Sequence, residues 1–250
     1  MKLRRTVLVA LLSLAPGPAS ALASGDINIA WLDCAVPYGS GLTDLHYACD
    51  GNNGYSLLVA SFSPPVALSQ LNGTNAVVDF QSSAATLSPW WQLQPGGCRE
   101  GSLTASFDFT AGPTSCEDVW LGQAVGTFRV DQSGTNRLRL RAMCAFAVGS
   151  ERVVNDDGTE YDAFLIRIQH AKTVGDGSCS GCLDPVCIVF NSLMLTQPSG
   201  VGDYALTTGP NQFAGWRGGA YQPCGAGGSC VPIPCPVIKS TWGRVKSRFR

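Results

Sequence analysis

The residues whose types and spacing could do chemistry fall into four groups: the adjacent tryptophans Trp90-Trp91, the acidic run Asn155-Asp156-Asp157 with Glu160, the histidines His46 and His170, and eleven cysteines. Side-by-side indoles are raw material for stacking the apolar faces of sugars. In an extended segment they point to opposite sides, so one would fill the core while the other forms a platform, and Trp90 and Trp91 become the candidate carbohydrate contacts. A core or loop-anchoring role for both is the simpler alternative.

The acidic run offers oxygen ligands of the kind calcium takes from loops, which makes Asn155, Asp156, Asp157 and Glu160 the candidate metal set and calcium the single cofactor to consider. A solvated hairpin turn explains the same residues without a metal. Glycoside hydrolysis would need two carboxylates held about 5–9.5 Å apart. Adjacent acids on a glycine-containing turn point apart, so a hydrolase would need a pair that only folding brings together. Nucleophilic catalysis finds no Gly-x-Ser-x-Gly, and Gly39-Ser40-Gly41 lacks the strand-to-helix setting of that motif. His46 and His170 therefore read as structural or surface residues, and no catalytic residue is assigned.

Cysteine spacing asks for a choice between metal and disulfide. Cys179-x2-Cys182, with Cys187 following, has zinc-ligand spacing, but neither a second CxxC nor a nearby histidine pair completes the set. Ten cysteines then form bridges: Cys34, Cys49, Cys98, Cys116, Cys179, Cys182, Cys187, Cys224, Cys230 and Cys235. Local pairing predicts Cys34 with Cys49 and Cys98 with Cys116, and links the 179–187 group to the 224–235 segment. Cys144 is the odd one out. It alternates with Leu138, Leu140, Ala142, Phe146 and Val148 on the apolar face of a strand whose other face carries Arg137, Arg139 and Arg141, so it reads as a buried, inert thiol.

The elements that must position these residues are strands. Period-two alternation recurs at 27–31, 55–62, 76–81, 103–109, 124–130, 137–148, 161–170, 186–197 and 204–208, and Gly, Pro, Asn and Asp clusters separate nearly all of these runs. Two short helices are expected, one turn over Ser115–Trp120 and one in the tail. The predicted fold is all-β: a two-sheet antiparallel β-sandwich, jelly-roll-like and stapled by disulfides.

Both ends speak to location. Lys2, Arg4 and Arg5, an apolar run over 7–14, and small residues at Ala19, Ala21 and Ala23 spell a secretory signal peptide over residues 1–23. That run is too short to span a bilayer, and no later segment is long and apolar enough. Residues 24–208 then form the sandwich, 209–236 a Cys/Gly/Pro-rich loop region, and 237–250 a basic amphipathic tail with Trp242, Val245 and Phe249 at helical spacing. Without the leader, 14 basic residues face 18 acidic ones, and five of the basic ones lie beyond Cys235. An acidic body of this kind offers no phosphate-binding surface, which excludes nucleic acid as a partner.

The stretches Cys179-Ser-Gly-Cys-Leu-Asp-Pro-Val-Cys, Gly215-Trp-Arg-Gly-Gly and Thr241-Trp-Gly-Arg-Val-Lys-Ser-Arg-Phe-Arg resemble a family of secreted bacterial proteins with a Cys-rich C-terminal region and a TWGxxKxxxR-type tail. The resemblance extends over most of the mature chain and brings no activity with it. It implies that the tail docks an export or sorting partner. The function expected is a secreted or cell-surface, non-enzymatic sandwich that binds polysaccharide or another envelope component. A glycan-acting hydrolase and a purely structural extracellular protein are the alternatives.

Overall fold

The computed structural model describes residues 25–110, 112 and 114–219. The expected signal peptide, Cys224, Cys230, Cys235 and the tail residues Trp242, Val245 and Phe249 lie outside the described residues. Within them the chain forms β1 (Asp26–Trp31), β2 (Asp44–Leu45), β3 (Tyr55–Ser63), β4 (Leu68–Leu71), β5 (Gly73–Ser82), β6 (Leu103–Ser106), β7 (Val125–Gly134), β8 (Arg137–Ala145), β9 (Arg152–Val154), β10 (Tyr161–Gln169), β11 (Val186–Thr196), β12 (Tyr204–Leu206) and β13 (Phe213–Trp216). The only helical element among them is a 3-10 turn over Pro89–Trp91.

The alternation seen in the sequence becomes two packed sheets, beside a separate two-stranded pair of β4 and β9. The smaller has strand order β1-β3-β10-β6; the larger runs β2-β13-β11-β5-β8-β7, with β12 also paired to β11. All pairs are antiparallel except β13 with β2. Successive strands cross repeatedly from one sheet to the other, so neither sheet closes without the other. Ile27, Ile29, Trp31, Leu58, Phe62, Phe164 and Ile166 from the small sheet meet Val78, Phe80, Leu138, Leu140, Phe190 and Trp216 from the large one in a single core. Phe164 meets Phe190 edge-on across the sandwich at 5.6 Å.

A bulge in β10 decides what lies outside that core. Asp162 pairs with Ser61, but Phe164 pairs with Ala60, so Ala163 is an extra residue. Phe164 therefore faces inward, while Asp162, Ser61 and Asn28 lie on the other side of the small sheet. That side is covered by the 114–120 segment, where the Asp162 N–H donates to the Glu117 carbonyl and the Glu117 N–H to the Glu160 carbonyl.

The helical turn expected over Ser115–Trp120 is replaced by this bridge. Asp118 accepts from the Trp120 and Leu121 N–H groups in a local cap, but the backbone is drawn into pairing with β10. A second difference is β13, inside the region expected to be loop. Four residues, Phe213-Ala-Gly-Trp216, carry too little alternation to be seen, yet they pair with β11 over Val186–Val189 and extend the sandwich beyond 208.

The disulfides correct the local pairing, and also the link expected from Cys179 and Cys182 to the 224–235 segment. Cys34 bonds to Cys116, Cys49 to Cys182 and Cys98 to Cys179, with sequence separations of 82, 133 and 81 residues. The turns that separate Cys34 from Cys49, and Cys98 from Cys116, carry the paired cysteines to different parts of the sandwich. Each of the three closes a loop large enough to contribute about 4–5 kcal/mol on the chain-entropy account. Cys144 is buried on the inner face of β8, 3.3 Å from the Thr74 hydroxyl, and burial pushes its thiol up to about 12. Cys187 packs with Val189 in a small separate cluster.

Candidate functional site

Two of the three disulfides converge on one place. Cys49–Cys182 and Cys98–Cys179 flank a cleft of about 650 Å3 whose walls are Pro89, Thr173, Ser178, Ser180, Leu183 and Asp184. The loop between β10 and β11 supplies most of this lining, and its shape is fixed at many points. Asn52 accepts from the Thr173 and Val174 N–H groups at 2.7 and 3.0 Å and donates back to the Val174 carbonyl. Lys172 donates to the Cys98 carbonyl at 2.9 Å. The Trp90 N–H donates to the Ser180 carbonyl at 2.8 Å.

Gly181 is the tightest of the glycines in this loop. Its φ is +97°, and a Cβ there would stand 2.2 Å from the Ser88 Cβ. Only glycine combines that left-handed conformation with that contact.

Beneath the cleft lies an indole cluster. Trp90 and Trp91 are both fully buried, which overturns the exposed platform expected from their adjacency. The reason is local: Pro89 starts a 3-10 turn, so the two rings do not alternate as in a strand but turn inward together, 4.9 Å apart and edge to face. Trp216 meets Trp90 and Trp91 at 5.1 and 5.3 Å and Trp31 at 5.6 Å. Trp90 still reaches the cleft through one atom, its Nε1–H donating to the Thr173 hydroxyl at 3.0 Å.

Arg99, which the sequence reading passes over, locks this floor in place. Its guanidinium is fully buried, lies 3.6 Å over the Trp90 ring, and donates to the carbonyls of Trp90 and Ala171 at 3.0 Å and also to that of Gln169. Burial lowers its pKa to about 10. Carbonyl partners in place of a carboxylate give a buried cation that ties the segment at Trp90 to the one at 169–171.

His170 sits beside this floor. Its Nε2 is 2.9 Å from the Ser56 hydroxyl and its Nδ1 3.0 Å from the Asn53 carbonyl, the arrangement of a serine with its base. Yet Ser56 and His170 are both buried, Tyr47 stacks on the imidazole at 3.9 Å, and burial lowers the histidine pKa. The pair ties the end of β10 to the start of β3. His46 is exposed and pairs with Asp44 at 2.7 Å.

The acidic residues do not converge as a calcium set. Asp157 accepts from the Thr159 hydroxyl and N–H in a local turn, Asp156 is exposed, and the Asn155 N–H donates to the Tyr161 hydroxyl. Glu160 turns away from them because it leads into β10 on the covered side of the small sheet. There it accepts from the Asn28 amide at 2.7 Å and the Ser63 hydroxyl at 2.5 Å, and burial raises its pKa.

Asp162, two residues on, is pushed by burial up to about 7, against the lowering effect of the Thr114 hydroxyl at 2.8 Å. Its neighbour Asp33 goes the other way. Partial burial would raise it, but the N–H groups of Ser40, Ser115 and Cys34 and the Ser115 hydroxyl hold it far below the usual carboxylate range. The sulfurs of Cys34 and Cys116 stand close to Asp162, but a disulfide offers no thiolate to a metal.

Set beside known proteins, the sequence matches no family model and has no significant match among curated proteins.

Proposed function

We propose that this chain is an exported, disulfide-framed sandwich that binds a polysaccharide or another envelope component in the cleft over residues 173–184, without catalysing a reaction on it. The observation that carries this reading is the construction of the cleft. Two disulfides, a glycine that admits no side chain and the Asn52 clamp hold its walls before any ligand arrives, and preformed walls reduce the ordering cost of binding. Hydroxyls at Thr173, Ser178 and Ser180, the carboxylate of Asp184 and the apolar edges of Pro89 and Leu183 suit the mixed polar and apolar surface of a sugar ring.

Among the described residues lining the cleft Asp184 is the one carboxylate, and hydrolysis by the common route takes two. Bridges that each close more than 80 residues suit an oxidising compartment, where the expected signal peptide would deliver the chain.

The test is a glycan array and an insoluble-polysaccharide pull-down with the oxidised mature chain, beside a Ser180→Trp variant that fills the cleft and a Trp91→Phe variant that leaves it open. Binding lost in the first and kept in the second is the expected result. Binding that survives a filled cleft would remove the cleft from the function, and release of shortened glycan would overturn the non-enzymatic reading.

A further inference from the structure

Among the described residues the edges of the two large sheets are blunted, with one exception. The outer side of β1 is taken by loops: the Ile27 N–H donates to the Thr208 carbonyl, the Ile29 N–H to the Asn211 carbonyl, and Trp31 pairs with Leu42. β2 has two residues, β12 three and β6 four, too short to template another chain. β7 is different. It runs for ten residues at the end of the large sheet, its first five residues are exposed, and among the described residues no backbone group bonds to its outer side. A long open edge is the feature that soluble β-proteins remove unless something pairs with it.

The side chains along β7 indicate what pairs with it. Arg129 and Asp131 lie on the outer face of the sheet, and Phe128 and Val130 on the inner face, since Phe128 pairs with Ala142 and Val130 with Leu140 of β8. Phe128 is 37% exposed although it points inward.

Consider a second copy laid antiparallel along β7, with a twofold axis at Val130. Arg129 of each copy then stands opposite Asp131 of the other, so the charges match twice on the outer face. On the inner face Val130 stands opposite Val130, and each Phe128 is its diagonal neighbour, within reach for a large side chain. Other registers lose the match; an axis at Arg129, for example, sets arginine against arginine. The bulge at Gln132–Gly134 then limits pairing to the 128–132 stretch.

Arg129 and Arg141 already bond Asp131 within one copy, at 2.7 and 2.9 Å. The Arg129 side chain is 79% exposed, free to extend across the new seam.

We propose that β7 is a self-pairing edge that joins two copies of this chain into one continuous sheet through the 128–132 segment. An isologous contact of this kind closes on itself and makes a dimer, not a fibre. It is independent of what the cleft binds.

The test is sedimentation equilibrium on the oxidised mature chain, over about 1–200 µM, the range in which a weak strand-pairing dimer dissociates, with wild type, Arg129→Asp and Arg129→Lys. Wild type and Arg129→Lys should dimerise, and Arg129→Asp should weaken the dimer at least about tenfold by setting like charges opposite each other. Arg129 is exposed, so near-ultraviolet circular dichroism should be unchanged in all three.

A Val130→Cys variant, which keeps Arg129 and Asp131, checks the register by a separate route: the axis sets residue 130 against its own copy, so the variant should form a covalent dimer on oxidation. A wild-type monomer throughout the range, or a dimer indifferent to Arg129→Asp, would overturn the proposal. So would failure of the paired cysteines to cross-link.

Discussion

Replacing Asp162 by asparagine should make the protein more stable at pH 8 while leaving it little changed at pH 5. Asp162 is 1% exposed on the covered side of the small sheet, and no cation among the described residues pairs with it. Burial therefore holds its carboxyl near 7 against an ordinary value of 3.8. Because the folded value is the higher one, the folded state keeps a proton that the unfolded chain gives up. The contribution to stability is complete below about pH 4 and is lost as pH rises through 7.

At about 1.4 kcal/mol per pH unit the ceiling is about 4 kcal/mol, and local relaxation and water entry bring the expected effect to about 2 kcal/mol. Glu160, also raised by burial, acts in the same direction. Asp33 has the opposite sign: its lowered pKa adds stability above the ordinary carboxylate range, and that is lost as pH falls below it.

The assay is urea unfolding of the oxidised protein at pH 5 and pH 8, followed by tryptophan fluorescence. Wild type should lose about 1 kcal/mol between the two, the share of that effect falling between pH 5 and 7, and Asp162→Asn, which still accepts from Thr114, should lose much less. A flat wild-type profile would refute the reasoning, as would an asparagine variant equally weakened at both pH values.

Three further outcomes follow from the same structure. Peptide mapping without reduction should recover Cys34 with Cys116, Cys49 with Cys182 and Cys98 with Cys179; a peptide joining Cys34 to Cys49 would contradict the fold. Gly181→Ala should cost about 2–4 kcal/mol through its positive φ and the Ser88 contact, with Ser88→Gly restoring part of it in a thermal melt. Cys144 should resist alkylation at pH 8 in the native protein and react once the chain is denatured in urea. Rapid native labelling would place it outside the core.

Fold class was legible because strands exposed on one side alternate. Arg137 to Ala145 announces both faces of β8, including the buried Cys144, although the strand stops short of the expected Val148, which is exposed. What stayed hidden lacks such a pattern. Phe213–Trp216 is too short to alternate, and the 114–120 segment carries a good capping sequence that pairing with β10 overrides. Trp90-Trp91 takes the core role and not the platform because the side on which a ring falls depends on the backbone, and Pro89 imposes a turn in place of extension. The cleft was invisible for another reason. Thr173, Ser180 and Asp184 become a wall only when Cys49 and Cys98, far earlier in the chain, are drawn onto Cys182 and Cys179. The one local hint was a CxxC set among serine and glycine.

The order of the bridged cysteines bears on how such a chain matures. Cys34, Cys49 and Cys98 all precede Cys116, Cys179 and Cys182, and each bridge joins one of the first three to one of the last three. A chain that enters an oxidising compartment N-terminus first presents Cys34 and Cys49 together, long before their native partners arrive. An oxidant acting on thiols in order of emergence would make the wrong bond first. Production of the native protein should therefore depend on a disulfide isomerase, or on withholding oxidation until the last strand has emerged.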